Sequence, residues 1–148
     1  MPYLLISFLV VISSFSKSEF YTVLKNGSSA KLIELEKKLN AQSSDGTQQA
    51  YLGTLNMKLS ETQKTSMEKL KLFKIGKAQL EKSIASHPEN IEYRFLRLII
   101  QENAPKILRY HLQIGEDAKL ITAKIGTVDS ELKIIIVQYS ESSKNLNL

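Results

Sequence analysis

The sequence predicts an all-α fold of six to seven helices, set as an array of antiparallel helical hairpins behind an N-terminal signal segment. Three observations lead there. Apolar residues recur at helical spacing through most of the chain, most completely over residues 91–101. Caps and breakers at Asn26-Gly27-Ser28-Ser29, Ser43-Ser44-Asp45-Gly46, Pro88, Asn103-Ala104-Pro105 and Gly126 cut that pattern into pieces of helix length. The β-prone run Ile134-Ile135-Ile136-Val137 finds no second strand to pair with, so a helix is the better reading there.

The chain begins with an uncharged apolar run over residues 3–12, followed by Ser13-Ser14-Phe15-Ser16 and the first lysine at 17. An apolar core of this length with small residues behind it reads as an export signal cleaved after Ser16, although no Lys or Arg precedes it. It is short for a bilayer span. The domain reading is therefore a signal peptide over 1–16, a linker over 17–27, one α-helical domain over 28–140 and a frayed tail over 141–148. At 148 residues, 43% hydrophobic and 24% charged, the chain suits one domain with a real core.

Taken in order, the turn Asn26-Gly27-Ser28-Ser29 supplies a candidate N-cap for a helix to about Ala41, with Leu32, Leu35 and Leu39 inward and Glu34 paired with Lys38 outside. In the next helix Tyr51, Leu52, Leu55 and Leu59 form one face. Ala50, Gly53 and Met57 form another, small enough for a neighbouring helix to approach closely. Ser60-Glu61-Thr62-Gln63 has the form of a capping box for a long third helix, with Met67, Leu70, Phe73, Leu80 and Ile84 inward. Lys77 interrupts that face, and a bend at Gly76 is preferred to a snorkelling lysine.

Residues 91–101 carry apolar side chains around more than half of the helix, leaving Arg94, Arg97 and Gln101 as one polar stripe. Such a helix belongs between other elements, not on the surface. After it, Asn103 and Pro105 start a helix with Ile107, Tyr110 and Ile114 inward, and Gly115 fits the position just past its end. A short helix over 116–125 and a last one bearing Val128, Leu132, Ile135 and Tyr139 complete the series.

Leu52-Gly53 in one helix, then Gly76 and Leu80 with Pro88 closing the next, resemble the tetratricopeptide pattern over residues 50–101. Gln49, Asn56 and Leu80 stand where Trp, Tyr and Phe are usual, and the two halves lie farther apart than a 34-residue repeat has them. The segment 32–121 is similar to small exported bacterial proteins of TPR-like type. The resemblance implies a helical stack and, by analogy, a role in protein binding.

Composition and motifs narrow the function classes. The absence of cysteine excludes disulfides, thiol catalysis, cysteine zinc sites and a bacterial lipid anchor. His87 and His111 lack the spacing and acidic neighbours of a metal site, and no HExxH, phosphate-cradling glycine loop or nucleophile elbow occurs. No catalytic residue, metal site or cofactor is therefore assigned. The net charge of +5 is concentrated in residues 58–82, where seven lysines face three glutamates. Without aromatics on the same face, a solvated helix surface accounts for them better than a nucleic-acid site.

The expectation is an exported, periplasmic or extracellular module that binds a protein or peptide partner, with no membrane span once the signal is removed. Arg94, Arg97 and Gln101, with Asn56, Lys58 and Arg109, are the candidate contacts for an acidic peptide. An equally concrete reading pairs the two arginines internally with Asp117, Glu116 or Glu81. The rival functions are a structural cell-envelope protein without a groove, an enzyme whose site assembles only in three dimensions, and a polyanion or membrane-surface binder using residues 58–82.

Overall fold

The computed structural model of the protein describes residues 16–42 and 45–148. All but the last residue of the expected signal segment lie outside the described residues, as do Ser43 and Ser44. The described residues fold as seven α-helices: α1 Lys17–Asn26, α2 Ser29–Asn40, α3 Gly46–Ser60, α4 Ser66–Ser86, α5 Ile91–Asn103, α6 Ile114–Lys124 and α7 Ser130–Ser140. Short 3₁₀ turns at Lys106–Leu108 and Ile125–Thr127 connect α5 to α6 and α6 to α7.

The hairpin of α3 and α4 is the densest pairing. Gly46 meets Ser83 and Gly53 meets Gly76, so residues ascend along one helix as they descend along the other, and the pair is antiparallel. A Cβ on Gly53 would stand 2.6 Å from the Gly76 carbonyl oxygen and 2.7 Å from the Leu80 nitrogen. The two backbones are in direct contact, which only paired glycines allow. The close approach expected at Gly53 is present, and it gives Gly76 a purpose other than bending. α4 runs unbroken from Ser66 to Ser86. Lys77 reaches over the ring of Tyr110, 4.7 Å from its centroid, so the snorkelling alternative describes this lysine.

Several boundaries differ from the sequence reading. The expected linker over 17–27 is helix α1, capped by Ser16, whose hydroxyl accepts from the Glu19 N–H, and anchored by buried Phe20, Tyr21 and Leu24. Ser60-Glu61-Thr62-Gln63 is not a capping box but the end of α3 and the turn after it. The Ser60 and Thr62 hydroxyls donate back to carbonyls at Met57 and Leu59. The capping box stands five residues later, where Thr65 and Glu68 bond reciprocally. Between α5 and α6 no α-helix forms. Arg109 adopts a left-handed backbone (φ 48°) that stops the 3₁₀ turn, and Gly115 lies in the first turn of α6 instead of past a helix end.

The tail over 141–148 is docked, not frayed. Leu146 is fully buried, and Ser143 and Asn145 donate to Glu102 at 2.8 and 2.7 Å. α5 lies at the centre, buried from Ile91 to Leu98 and again at Ile100 and Gln101. A chain of ring contacts, Tyr51 to Phe20 to Tyr21 to Phe95 to Tyr139, ties α3, α1, α5 and α7 together with centroids 4.3–5.4 Å apart.

The glycine crossing predicts a contrast between two substitutions. Gly53→Ala forces two backbones apart and is expected to cost about 3 kcal/mol. Gly115→Ala enters open space inside a helix and is expected to leave stability unchanged or raise it by up to about 1 kcal/mol. Urea denaturation of both variants checks this. Equal effects would remove the crossing as the determinant of the hairpin.

Candidate functional site

The arginine stripe of α5 turns inward against α6 and α4. Arg97 grips Asp117 with a two-pronged fork, Nε to Oδ2 and Nη2 to Oδ1, each at 2.7 Å, and its Nη1 reaches Glu81 at 2.9 Å. Arg94 donates to Asp117 at 3.0 Å, to Glu116 at 2.8 Å and to the Pro88 carbonyl at 2.9 Å. Asp117 is completely buried. Burial opposes the charge on Arg97, but the hydrogen bonds and field of Asp117 outweigh it, and the guanidinium is held charged more firmly than in water. Gln101 continues the seam by donating to Gln113 at 2.7 Å.

The six candidate contacts therefore do not form one surface. Arg94, Arg97 and Gln101 are buried along α5, the two arginines in pairs with the three carboxylates named from the sequence and Gln101 bonded to Gln113. Asn56 is buried too, its amide bonded to Gln79 across the α3–α4 hairpin at 2.8 Å. Arg109 is exposed at the end of its turn. Only Lys58, paired with Glu61 at 3.0 Å, opens on a concave surface.

A second set of polar contacts surrounds the stripe. Four tyrosines donate their hydroxyls to three glutamates: Tyr21 (3.3 Å) and Tyr51 to Glu92, Tyr110 to Glu81 (2.6 Å) and Tyr139 to Glu102 (2.5 Å). Lys17 closes the Glu92 site at 3.0 Å and bridges to Asp129 at 2.8 Å. Burial works against its charge, yet the hydrogen bonds to Asp129 and Glu92 raise its pKa above the usual lysine value. For all four tyrosines burial, and then the neighbouring carboxylate, pushes the phenol pKa above its ordinary value.

The concave surface lies on another side of α5. It is a groove of about 990 Å³ between α1, the end of α3, α4, α5, α7 and the docked tail. Each wall helix presents one face at i, i+3, i+4, i+7 spacing: Ser18, Tyr21, Thr22 and Lys25 from α1, Ser66, Lys69, Leu70 and Phe73 from α4, and Ile135, Gln138, Tyr139 and Ser142 from α7 with the turn that follows it. Buried Leu24, Met57, Phe73, Phe95 and Ile100 form the floor. Leu70 and Ile107 stand at the lip, 42% and 87% exposed. Lys25, Lys69 and Lys144 are exposed along the rim, and no described carboxylate lies within ion-pair distance of them.

No protein-family model, no curated protein and no solved structure matches the chain. Among the described residues no helix is long and apolar enough to cross a membrane, and no group of three His, Asp or Glu is placed to hold a metal ion.

Sequence reasoning missed the groove because it assigned Met67, Leu70 and Ile107 to the core. Met67 is 82% exposed and the other two stand at the lip, so the α4 stripe is apolar beyond what its neighbours cover. The available signal was the stripe Met67, Leu70 and Phe73 on α4, followed by a 103–113 segment that Pro105 sets off from α5.

Two predictions follow from the polar seams. Asp117→Ala strands two buried guanidiniums and is expected to cost about 3–5 kcal/mol, whereas Glu116→Ala, at an exposed carboxylate, costs under about 1 kcal/mol. Thermal and urea unfolding measure both. For the tyrosines, a folded-state pKa above the unfolded value of about 10 means that the native state binds more protons in alkali. Stability is thus constant below about pH 9 and falls as pH rises through 10 and beyond, and Tyr51→Phe makes that fall shallower. A urea midpoint unchanged from pH 8 to pH 11 contradicts it.

Proposed function

We propose that the protein is an exported binding or assembly module that holds an apolar segment of a partner protein in the groove between α1, α4, α5 and α7. The observation that carries this reading is the groove itself: a floor of five buried apolar side chains with uncovered Leu70 and Ile107 at its lip. The floor side chains are themselves buried, so the apolar surface left open is that of the lip and walls, and it is favourable to cover. Helix-lined grooves accept amphipathic segments through side chains at i, i+3, i+4 and i+7. The arginine stripe, in this reading, sets the architecture and the groove makes the contact.

Export is supported by the apolar run over 3–12 and the small residues that follow it. The TPR-like assignment is supported by the antiparallel α3–α4 hairpin, in which Gly53 and Gly76 of the repeat-like pattern meet. The alternative of a groove-free structural protein of the envelope draws on the burial of Arg94 and Arg97.

Nile red, a neutral apolar dye, is expected to bind the full chain saturably with blue-shifted emission. The Leu70→Glu/Ile107→Glu variant should abolish that binding while shifting unfolding by less than about 0.5 kcal/mol per site, since both side chains are already exposed. Absence of saturable binding, or binding unchanged in the variant, overturns the groove as the contact surface. N-terminal sequencing of the exported protein should start at Lys17, and an intact Met1 overturns the export reading.

A further inference from the structure

We infer that the occupant of the groove is an amphipathic helix with carboxylates flanking its apolar face; this rests on the groove being the binding surface. The charge distribution argues for it, and size admits it. The groove, about 990 Å³, stands at the upper end of small-molecule sites and has room for roughly two turns of an α-helix about 11 Å across.

The charges favour an acidic partner over a neutral one. Lys58 on the groove wall is neutralised by Glu61, and the Glu102 carboxylate accepts from Tyr139, Ser143 and Asn145. What remains on the rim is Lys25, Lys69 and Lys144, which no described carboxylate pairs. They come from three separate elements: the last turn of α1, the first turn of α4 and the docked tail. A single-headed amphiphile brings its anion to one point. A helix with acidic residues at both edges of its apolar face brings carboxylates to several, matching a rim whose cations are spread over separate walls.

The pairing would be steered by charge and held by apolar burial. Rim pairs in water each change affinity only a few-fold, so the rim selects among helices that the floor already accepts. At physiological salt the screening length is about 8 Å, short enough that each lysine acts on its own neighbour and not on the helix as a whole.

Two fluorescent synthetic helices with one shared Leu/Ile face, one edged with Glu and the other with Lys, are titrated against the full chain by fluorescence polarisation. The Glu-edged helix is expected to bind about tenfold tighter, with the margin shrinking as ionic strength rises from about 0.01 M to about 0.15 M. Lys25→Glu/Lys69→Glu/Lys144→Glu changes only exposed side chains and should reverse the preference while Nile red binding is retained. Equal binding of the two helices overturns the charge selection. Binding of neither helix, with Nile red still bound, overturns the peptide as occupant and leaves the groove standing. Tighter binding of oleate or of phosphatidylglycerol vesicles than of the Glu-edged helix assigns the site to a lipid amphiphile. Loss of Nile red binding in the unmodified chain removes the groove reading itself.

Discussion

The constraint on which the rest of the structure depends is that a buried helix must have every charged side chain answered. α5 is enclosed on almost all sides and carries Glu92, Arg94, Arg97 and Glu102. A charge left alone in such a place costs several kcal/mol, so each of these residues dictates what lies beside it. Glu92 brings Tyr21 and Lys17 of α1 and Tyr51 of α3. The arginines bring Asp117 and Glu116 of α6 and Glu81 of α4. Glu102 brings Tyr139 of α7 and the tail through Ser143 and Asn145. Apolar packing alone tolerates sliding between helices; these directional contacts do not, and they set the register of the bundle around α5.

That dependence explains which parts of the fold were legible in the sequence. Burial of α5 follows from its own side chains, because Ile91, Phe95, Leu98 and the residues around them leave little of the cylinder polar. The close approach at Gly53 could be read for the same reason, from small residues at helical spacing. What depended on partners distant in sequence was harder. α1 was hidden although Ser16-Lys17-Ser18-Glu19 places a cap and an acidic third residue in the order of a helix start. The same Ser16 also fitted a cleavage site, and local pattern cannot rank the two. The tail looked frayed because its eight residues hold two leucines and no periodic face; its order comes from Glu102, more than forty positions away, and from a pocket for Leu146. The helix count matched for offsetting reasons, since α1 was missed and the 105–113 segment was read as a helix it does not form.

The candidate site was legible in one sense and misplaced in another. The arginine stripe was singled out, and its internal partners were named among the alternatives, because few acids stand at suitable distances along the chain. Which side of α5 faces the outside could not be read, since its polar side chains are themselves buried or paired and no face is left plainly to solvent. The groove arises where the segment after α5 turns away: Pro105 ends the helical path, Arg109 reverses it, and the faces of α1, α4 and α7 that a further helix would have covered stay open.

The division of cations between these two places has a physical logic. The chain has three arginines against seventeen lysines, and two of the three arginines lie in the buried seam. A planar guanidinium is weakly hydrated and matches a carboxylate through two parallel bonds, so it can be buried against Asp117 with its donors satisfied. An ammonium is strongly hydrated and has no such fork, which suits it to Lys25, Lys69 and Lys144 at a wet rim where contacts form and break. Arg94 and Arg97 fix helices to one another, as Lys17 does against Glu92 and Asp129. Lys25, Lys69 and Lys144 are left where water, or a carboxylate replacing it, can reach.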